Sequence, residues 1–322
     1  MKLDKTKIKL FSTIGSRATF GMVCLDLAKE VDNLMILTSD VSTSAGLDRF
    51  KLKYPEKYLD VGIAEQNLIG VATGLSSGGH NVFTTTFAPF QTMRCFEQIK
   101  VNLGYMKKKV TMVGIASGVA LGTLGFTHCS IEDVSLMRSI PGMTVISPAD
   151  CGEVAKSVFA AAKYGGPIYI RLTGAANNPV VYKEDYNFEI GKPIKLEEGK
   201  DITIFATGSM VAPSIEASKI LRDKNISADV INVHTIKPLD LNFVNKHSRK
   251  RKLIITVEEH SVIGGLASAI SEANSNLEDR SKQLSISLPD EYFKGGEYLD
   301  LLARYNLNSE GIANTIIKNY KQ

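Results

Sequence analysis

Two successive α/β domains, each built on a largely parallel sheet, are what this sequence predicts, and three observations lead there. The chain has 322 residues, more than a single core of up to about 250 residues holds comfortably. Short runs rich in Val, Ile and Thr alternate with longer segments whose apolar residues recur at three and four. Alternation of strand and helix gives a parallel sheet covered on both faces. The pattern then stops near residue 175 and restarts at residue 201.

In the first unit, residues 1–175, the segments Met35–Thr38, Asn81–Thr84, Val110–Ile115, Thr144–Ser147 and Ile168–Arg171 read as buried strands. Residues 18–31, 64–78, 90–105, 130–140 and 150–164 read as helices, the last stopped by Gly165-Gly166-Pro167. Residues 176–200 include Asn177-Asn178-Pro179 and Glu197-Glu198-Gly199-Lys200 and read as a linker with one or two short strands. The second unit, residues 201–322, predicts strand 201–206, helix 210–224, strand 228–233, helix 240–250, strand 253–257 and helix 263–274. Its sheet should be smaller, with right-handed crossovers.

The 38 basic and 34 acidic residues leave a net charge of +4, too small an excess to suggest nucleic acid as a partner. The runs Lys107–Lys109 and Arg249–Lys252 read as solvated loops or helix ends. No apolar stretch approaches the roughly 18 residues of a membrane span, and no apolar run follows Met1-Lys2-Leu3-Asp4 as in a signal peptide. Cys24, Cys95, Cys129 and Cys151 lack zinc or redox spacing and read as reduced core thiols of a cytoplasmic protein. Ala206–Met210 follows a strand and opens a helix; it either cradles an anion or, more commonly, forms a tight turn. Gly70, Gly74, Gly78 and Gly79 read as close helix packing and a C-cap rather than a dinucleotide site.

Three segments carry candidate chemistry. In Asp60-Val-Gly-Ile-Ala-Glu-Gln-Asn67, Glu65 is a carboxylate in an apolar, Gly-flanked stretch at a helix start. It is either a functional acid or an anion stabilised by the helix dipole. In Thr84-Thr-Thr-Phe-Ala-Pro-Phe-Gln-Thr-Met93, Phe87 and Phe90 stand three apart after a strand. They are either core or the wall of a flat heteroaromatic ring. Gly118–His128, with Gly122, Gly125 and Thr127-His128, should be a loop at the same sheet edge. Ligands of open parallel sheets bind beyond the carboxyl ends of strands, so three candidates at one edge support each other.

Taken in order, these motifs resemble transketolases: Gly62-Ile-Ala-Glu-Gln66, the helix with Gly70 and Gly74, Thr85-Thr-Phe-Ala-Pro-Phe90, Gly122–His128 and Ile140–Asp150. Ile236-Lys-Pro-Leu-Asp240, Val257-Glu-Glu-His260 and Ile263-Gly-Gly-Leu266 resemble the same family's C-terminal domain. The resemblance implies a parallel-sheet pyrimidine-binding domain of thiamine-diphosphate enzymes followed by a smaller α/β transketolase C-terminal domain. It implies that Glu65 hydrogen-bonds the aminopyrimidine of thiamine diphosphate and favours the imino tautomer that removes the thiazolium proton. Burial would raise the pKa of such a carboxyl and let it share that proton. Phe87, Phe90 and Met93 would pack on the ring, with Asp40 among the cofactor contacts. His128 would stand beside the donor hydroxyls and position oxygens. Arg17, Ser44 and Arg171 would hold a sugar phosphate, to which guanidinium forks are suited; on pattern alone Arg17 is equally a surface charge at a helix start.

A complete transketolase is about twice as long and begins with a domain, marked by Gly-Asp-Gly, that holds the diphosphate through magnesium. This chain has no Gly-Asp dipeptide. The resemblance therefore implies a partner, an N-terminal transketolase-like subunit that supplies the diphosphate and the Mg2+ (or Ca2+), in a dimer of heterodimers. The substrate loop departs from the pattern. Ala116 stands where a phosphate-binding histidine is usual, and Leu124 where an acid reads a donor hydroxyl. Cofactor activation looks intact, whereas sugar recognition looks altered. Two rivals share the architecture, the β chain of 2-oxoacid dehydrogenase decarboxylating components and the deoxyxylulose-phosphate synthases. A non-catalytic scaffold half-domain is the rival of another class.

Overall fold

The computed structural model describes residues 1–174 and 176–320; Ala175, the last residue of the predicted first unit, lies outside the described residues. The first half contains helices α1 (Lys5–Leu27), α2 (Asp48–Lys53), α3 (Glu65–Ser77), α4 (Ala88–Thr92), α5 (Phe96–Gln98), α6 (Asp133–Ser139) and α7 (Cys151–Lys163). Its strands are β1 (Leu34–Thr38), β2 (Tyr58–Asp60), β3 (Asn81–Phe87), β4 (Val110–Ser117), β5 (Thr144–Ile146) and β6 (Ile168–Thr173). The second half contains β7 (Ile194–Glu197), β8 (Ile202–Ala206), α8 (Val211–Arg222), β9 (Ala228–Asn232), β10 (Thr235–Lys237) and α9 (Leu241–Ser248). It continues with β11 (Leu253–Ser261), α10 (Leu266–Asn274), β12 (Gln283–Leu288), α11 (Tyr298–Arg304) and α12 (Ser309–Tyr320).

The first sheet has seven strands in the order β10-β5-β6-β4-β3-β1-β2. All pair in parallel except β10, which runs antiparallel to β5. One face is covered by α1 and α7, where Phe20, Ile36, Phe83, Val113 and Val158 are fully buried. The other is covered by α3, α6 and a π-helical turn at Ile99–Tyr105, which bury Leu68, Ile69, Met112 and Tyr169. Two-sided burial is why β3, β4 and β6 read as unbroken apolar and Thr runs rather than alternating ones. The second sheet has the order β12-β11-β8-β9-β7, with β7 antiparallel at its edge. Helices α8 and α12 cover one face, α9 and α10 the other.

Several expectations change. Strand β10 belongs to the first sheet although its residues lie in the second unit, so the units share a sheet and a backbone bond from Ser147 N–H to His234 O at 2.7 Å. The predicted helix 90–105 is broken into α4, α5 and the π turn, because the chain turns at Met93–Cys95. The turn at Gly208 has φ +58, and a β-carbon there would stand 2.4 Å from Ser147 Oγ. It is a tight turn packed on the first unit. At Gly70 and Gly74 a β-carbon would meet nothing, so the close helix packing expected there is not found within the chain, and this face of α3 is bare. Among the described residues, no helix is long and apolar enough to cross a membrane, and all four cysteines are buried and free.

Candidate active site

The candidates converge on the carboxyl edge of the first sheet because each follows a strand that ends there. The turn after β2 is gathered by Asp60. Its carboxylate accepts from the N–H groups of Asp40 (3.0 Å) and Gly62 (2.9 Å) and from Thr38 Oγ1 (2.9 Å). Burial alone would push this carboxyl up, but those bonds and the Tyr58 hydroxyl hold it below the usual range. Ser39 Oγ then accepts the Ala64 N–H at 3.0 Å, and α3 begins at Glu65.

Glu65 is only 4% exposed. Its Oε1 is 2.7 Å from Arg94 Nη1, and among the described residues its Oε2 accepts no hydrogen bond from a protein donor. The Arg94 guanidinium lies 4.3 Å from the centroid of the Phe90 ring, within cation–π range. Phe90 meets Phe87 edge-on at 6.2 Å and His128 edge-on at 5.4 Å. Thus Glu65, Phe87, Phe90 and His128 form one continuous patch, with Arg94 bridging the first and third. Arg94 was not anticipated from sequence. The available signal was a lone cation in the aromatic segment, directly after Met93.

The other expected residues lie around this patch. Met93 is 51% exposed. Asp40 is exposed, in the left-handed region with φ 56, just past β1. Arg17 and Ser44 are half-buried on adjoining segments, because the turn holding Gly46 packs directly on Arg17 and Ala18. Arg17 is also next to Ser16, whose hydroxyl donates to Thr173 O at the end of β6.

Arg171 must be corrected. It does not present its fork to a substrate: it is 2% exposed and all its nitrogens are engaged. Nε donates to both Asp133 oxygens (3.1 and 2.8 Å), Nη1 to Thr173 Oγ1, and Nη2 to the carbonyls of Ser130 and Glu259 (3.2 and 2.8 Å). Tyr169 OH donates to the same Asp133 carboxylate at 2.7 Å. Arg171 is a buried tie between the two units. A cavity of about 710 Å³ also lies between them, lined by Asp150, Asn178, Met210, Tyr298 and Leu302 among others. It shares no residue with the patch at Glu65.

Residues 12–178 match the transketolase pyrimidine-binding domain and residues 191–312 the transketolase C-terminal domain. The chain belongs to the transketolase family. It is 36% identical over 309 residues to one subunit of the apulose-4-phosphate transketolase of Phocaeicola vulgatus, covering 96% of this chain and 98% of that one. It is 40% identical over 258 residues to a 6-deoxy-6-sulfo-D-fructose transketolase subunit of a Clostridium species, covering 80% and 79%. Among solved structures, a split-gene transketolase in an inactive β4 tetramer superposes with a TM-score of 0.87 at 36% identity, covering 96% and 99%.

The departures from the transketolase pattern now have places in the structure. Ala116 is 3% exposed and has φ 54, in the left-handed region, where the register between β4 and β6 shifts. A residue with a β-carbon adopts this conformation at a cost, so the strand end is shaped here without a side chain reaching solvent. Leu124, by contrast, is 57% exposed, four residues before His128.

Proposed function

We propose that this chain is the C-terminal subunit of a two-chain, thiamine-diphosphate-dependent transketolase that moves a two-carbon ketol unit from a ketose to an aldehyde. A separate N-terminal subunit supplies the diphosphate and magnesium half, and the active unit is a dimer of heterodimers in the cytoplasm. The observation that carries this reading is Glu65: a buried carboxyl with one oxygen paired to Arg94 and the other without a protein donor among the described residues, beside an aromatic wall that His128 completes.

These residues fit the aminopyrimidine of the cofactor. Glu65 Oε2 would accept a hydrogen bond from the ring nitrogen, and the burial of the rest of the side chain (4% exposed) holds that oxygen in place at the edge of the patch. Phe87 and Phe90 would hold the ring's plane. Bound thiamine diphosphate would supply the carbon nucleophile and the electron sink. His128 would orient the donor's oxygens and hold or release a proton at the hydroxyl it faces. Arg17 and Ser44 would take the anionic end, with Asp40 and Met93 at the rim of the cofactor site. The bare face of α3, where Gln66, Gly70 and Gly74 are exposed, would let the partner subunit approach the helix closely, and the exposed Ile63 (77%) and Met93 beside it would give that partner apolar side chains to cover.

The exposed Leu124 in place of an acid supports a donor that is less hydroxylated than a common pentose phosphate, or anionic in another way. Relatives that act on apulose 4-phosphate and on a sulfonated fructose support that range. The test is co-expression with the N-terminal subunit and a screen of phosphorylated, sulfonated and unphosphorylated ketoses with an aldehyde acceptor. Ketol transfer should need both chains, thiamine diphosphate and magnesium. Turnover by this chain alone, or no transfer from any ketose by the pair, would refute the reading.

A further inference from the structure

The loop that carries His128 is held chiefly by the C-terminal unit. At its start, Val119 N–H, fully buried, donates to Glu259 Oε1 at 2.8 Å. Gly118, with φ +69, sits so close that a β-carbon would fall 2.1 Å from the same oxygen. At its middle, Gly296 N–H donates to Gly122 O at 3.0 Å. Phe126 is wedged edge-on between Tyr292 (4.7 Å) and Phe293 (5.0 Å). At its end, Ser261 N–H donates to Ile131 O at 2.8 Å. The two ends are closed on each other by the Gly118–Ser130 bridge, with bonds of 2.8 and 2.9 Å.

Glu259 is the centre of this arrangement. It is 1% exposed, and its other oxygen accepts from Ser209 Oγ (2.6 Å) and Tyr298 OH (2.8 Å). Those two donors come from the turn at Gly208–Met210 just before α8 and from the first residue of α11, so one carboxylate on β11 gathers three segments of the C-terminal unit against the loop. Burial pushes this carboxyl upward, and Arg171 with the three donors pulls it back only in part. None of these groups belongs to the Glu65 patch.

We infer that Glu259, with the aromatic wedge of Tyr292 and Phe293, is a positioning device for ketose recognition: it fixes where His128 and Leu124 stand, and so gives the C-terminal domain a part in selecting the sugar. The inference rests on the transketolase reading for the identity of the ligand, but not for the clamp itself. A fixed loop pre-pays the ordering that binding would otherwise require.

The clamp is tested on the chain alone by hydrogen exchange of peptides spanning residues 118–131. Glu259→Ala should speed their exchange about tenfold or more, the effect of losing a buried hydrogen bond to a charged group, while peptides from β1 and β3 stay protected. Glu259→Gln should restore most of the protection, because its amide oxygen still accepts from Val119. Unchanged loop exchange, or equal acceleration throughout the chain, overturns the clamp. If Glu259→Ala does not fold, Tyr292→Ala carries the test, since that ring is 87% exposed; it should loosen residues 122–128 alone, and no change there overturns the proposal.

In the reconstituted pair, KM for the ketose should rise about tenfold in Glu259→Ala, with the half-saturating thiamine diphosphate concentration within about twofold of the parent. Equal losses in both would make Glu259 a general stabiliser and overturn its positioning role. A wild-type pair without ketol transfer would remove the transketolase reading, and the exchange experiment would still decide the clamp.

Discussion

Glu65 and Glu259 are both almost completely buried glutamates, 4% and 1% exposed, yet their surroundings are opposite. Glu259 is saturated: three donors from three segments and the nearby Arg171 leave it nothing to offer a ligand. Among the described residues Glu65 has a single protein partner, Arg94, itself 45% exposed, and one oxygen left over. Burial does not separate the two residues; satisfaction does. Buried polar groups are paired as a rule, so a buried carboxyl left half-paired at an open sheet edge is the one to suspect of chemistry. The saturated one belongs to architecture, and its reach into function runs through the loop it holds.

The strongest way to break this comparison is at Glu65. In the reconstituted pair, Glu65→Ala should lower kcat by about 10²–10⁴-fold, the usual worth of a positioned acid–base group. Its stability cost should be only about 0–1 kcal/mol, because the ion pair it removes is half solvated. Turnover and a thermal melt check both halves. Retained turnover, or a large loss of stability, would put Glu65 in the same class as Glu259.

The seam between the units should respond in the reverse sense. Arg171→Met strands the fully buried Asp133 without its cation, and breaking a buried pair from one side costs about 3–5 kcal/mol. Urea unfolding should show that loss, and adding Asp133→Leu should recover part of it, since replacing both partners by apolar groups is far less costly. KM for an anionic ketose should be unaltered in the folded fraction. A raised KM with intact stability would return Arg171 to the substrate.

Asp150 tests the seam through pH. It caps α7 by accepting the Glu153 N–H and holds the linker through the N–H groups of Val181 and Tyr182. Burial pushes its carboxyl from 3.8 up to about 6. A raised folded value means the native protein favours the protonated form. The contribution is therefore complete below about pH 4 and lost as pH rises through about 6, a difference of about 3 kcal/mol. Asp150→Asn should flatten the stability profile across that window by this amount. An unchanged slope would move the titration to the neighbouring Glu153.

How much of this was legible in the sequence follows the range of the interactions. The central strands β3, β4 and β6 show as apolar and Thr-rich runs because each needs only its own residues to be buried. β2, three residues long and largely exposed, and β12, with its mixed burial, have no such signature. Glu65, Phe87, Phe90 and His128 were legible as candidates through their motifs. Arg94 was not, because its partner Glu65 lies 29 residues away and meets it only once α3 and α4 are folded. Arg171 shows the same limit from the other side. A lone cation in an apolar strand reads equally as a phosphate fork or a buried tie, and only Asp133, 38 residues distant, decides.

The smallest effect lies where the two regions meet. Leu124 hangs on the loop that Glu259 fixes and stands four residues before His128, which meets Phe90 of the Glu65 patch edge-on. At 57% exposure it has room for a polar replacement, so Leu124→Asp should change stability by no more than about 0.5 kcal/mol. If the loop faces the donor, the new carboxylate gains a hydroxyl to read. One hydrogen bond to a charged group is worth about 1.5 kcal/mol, or about tenfold. The ratio of kcat/KM for a fully hydroxylated ketose phosphate over a less hydroxylated donor should rise by that factor, measured with both donors in one reaction. The gain should vanish when Glu259→Ala is added, because a carboxylate on a loosened loop no longer meets the sugar at a fixed place. An unchanged ratio in the single variant would mean that the loop, however firmly clamped, does not present Leu124 to the substrate.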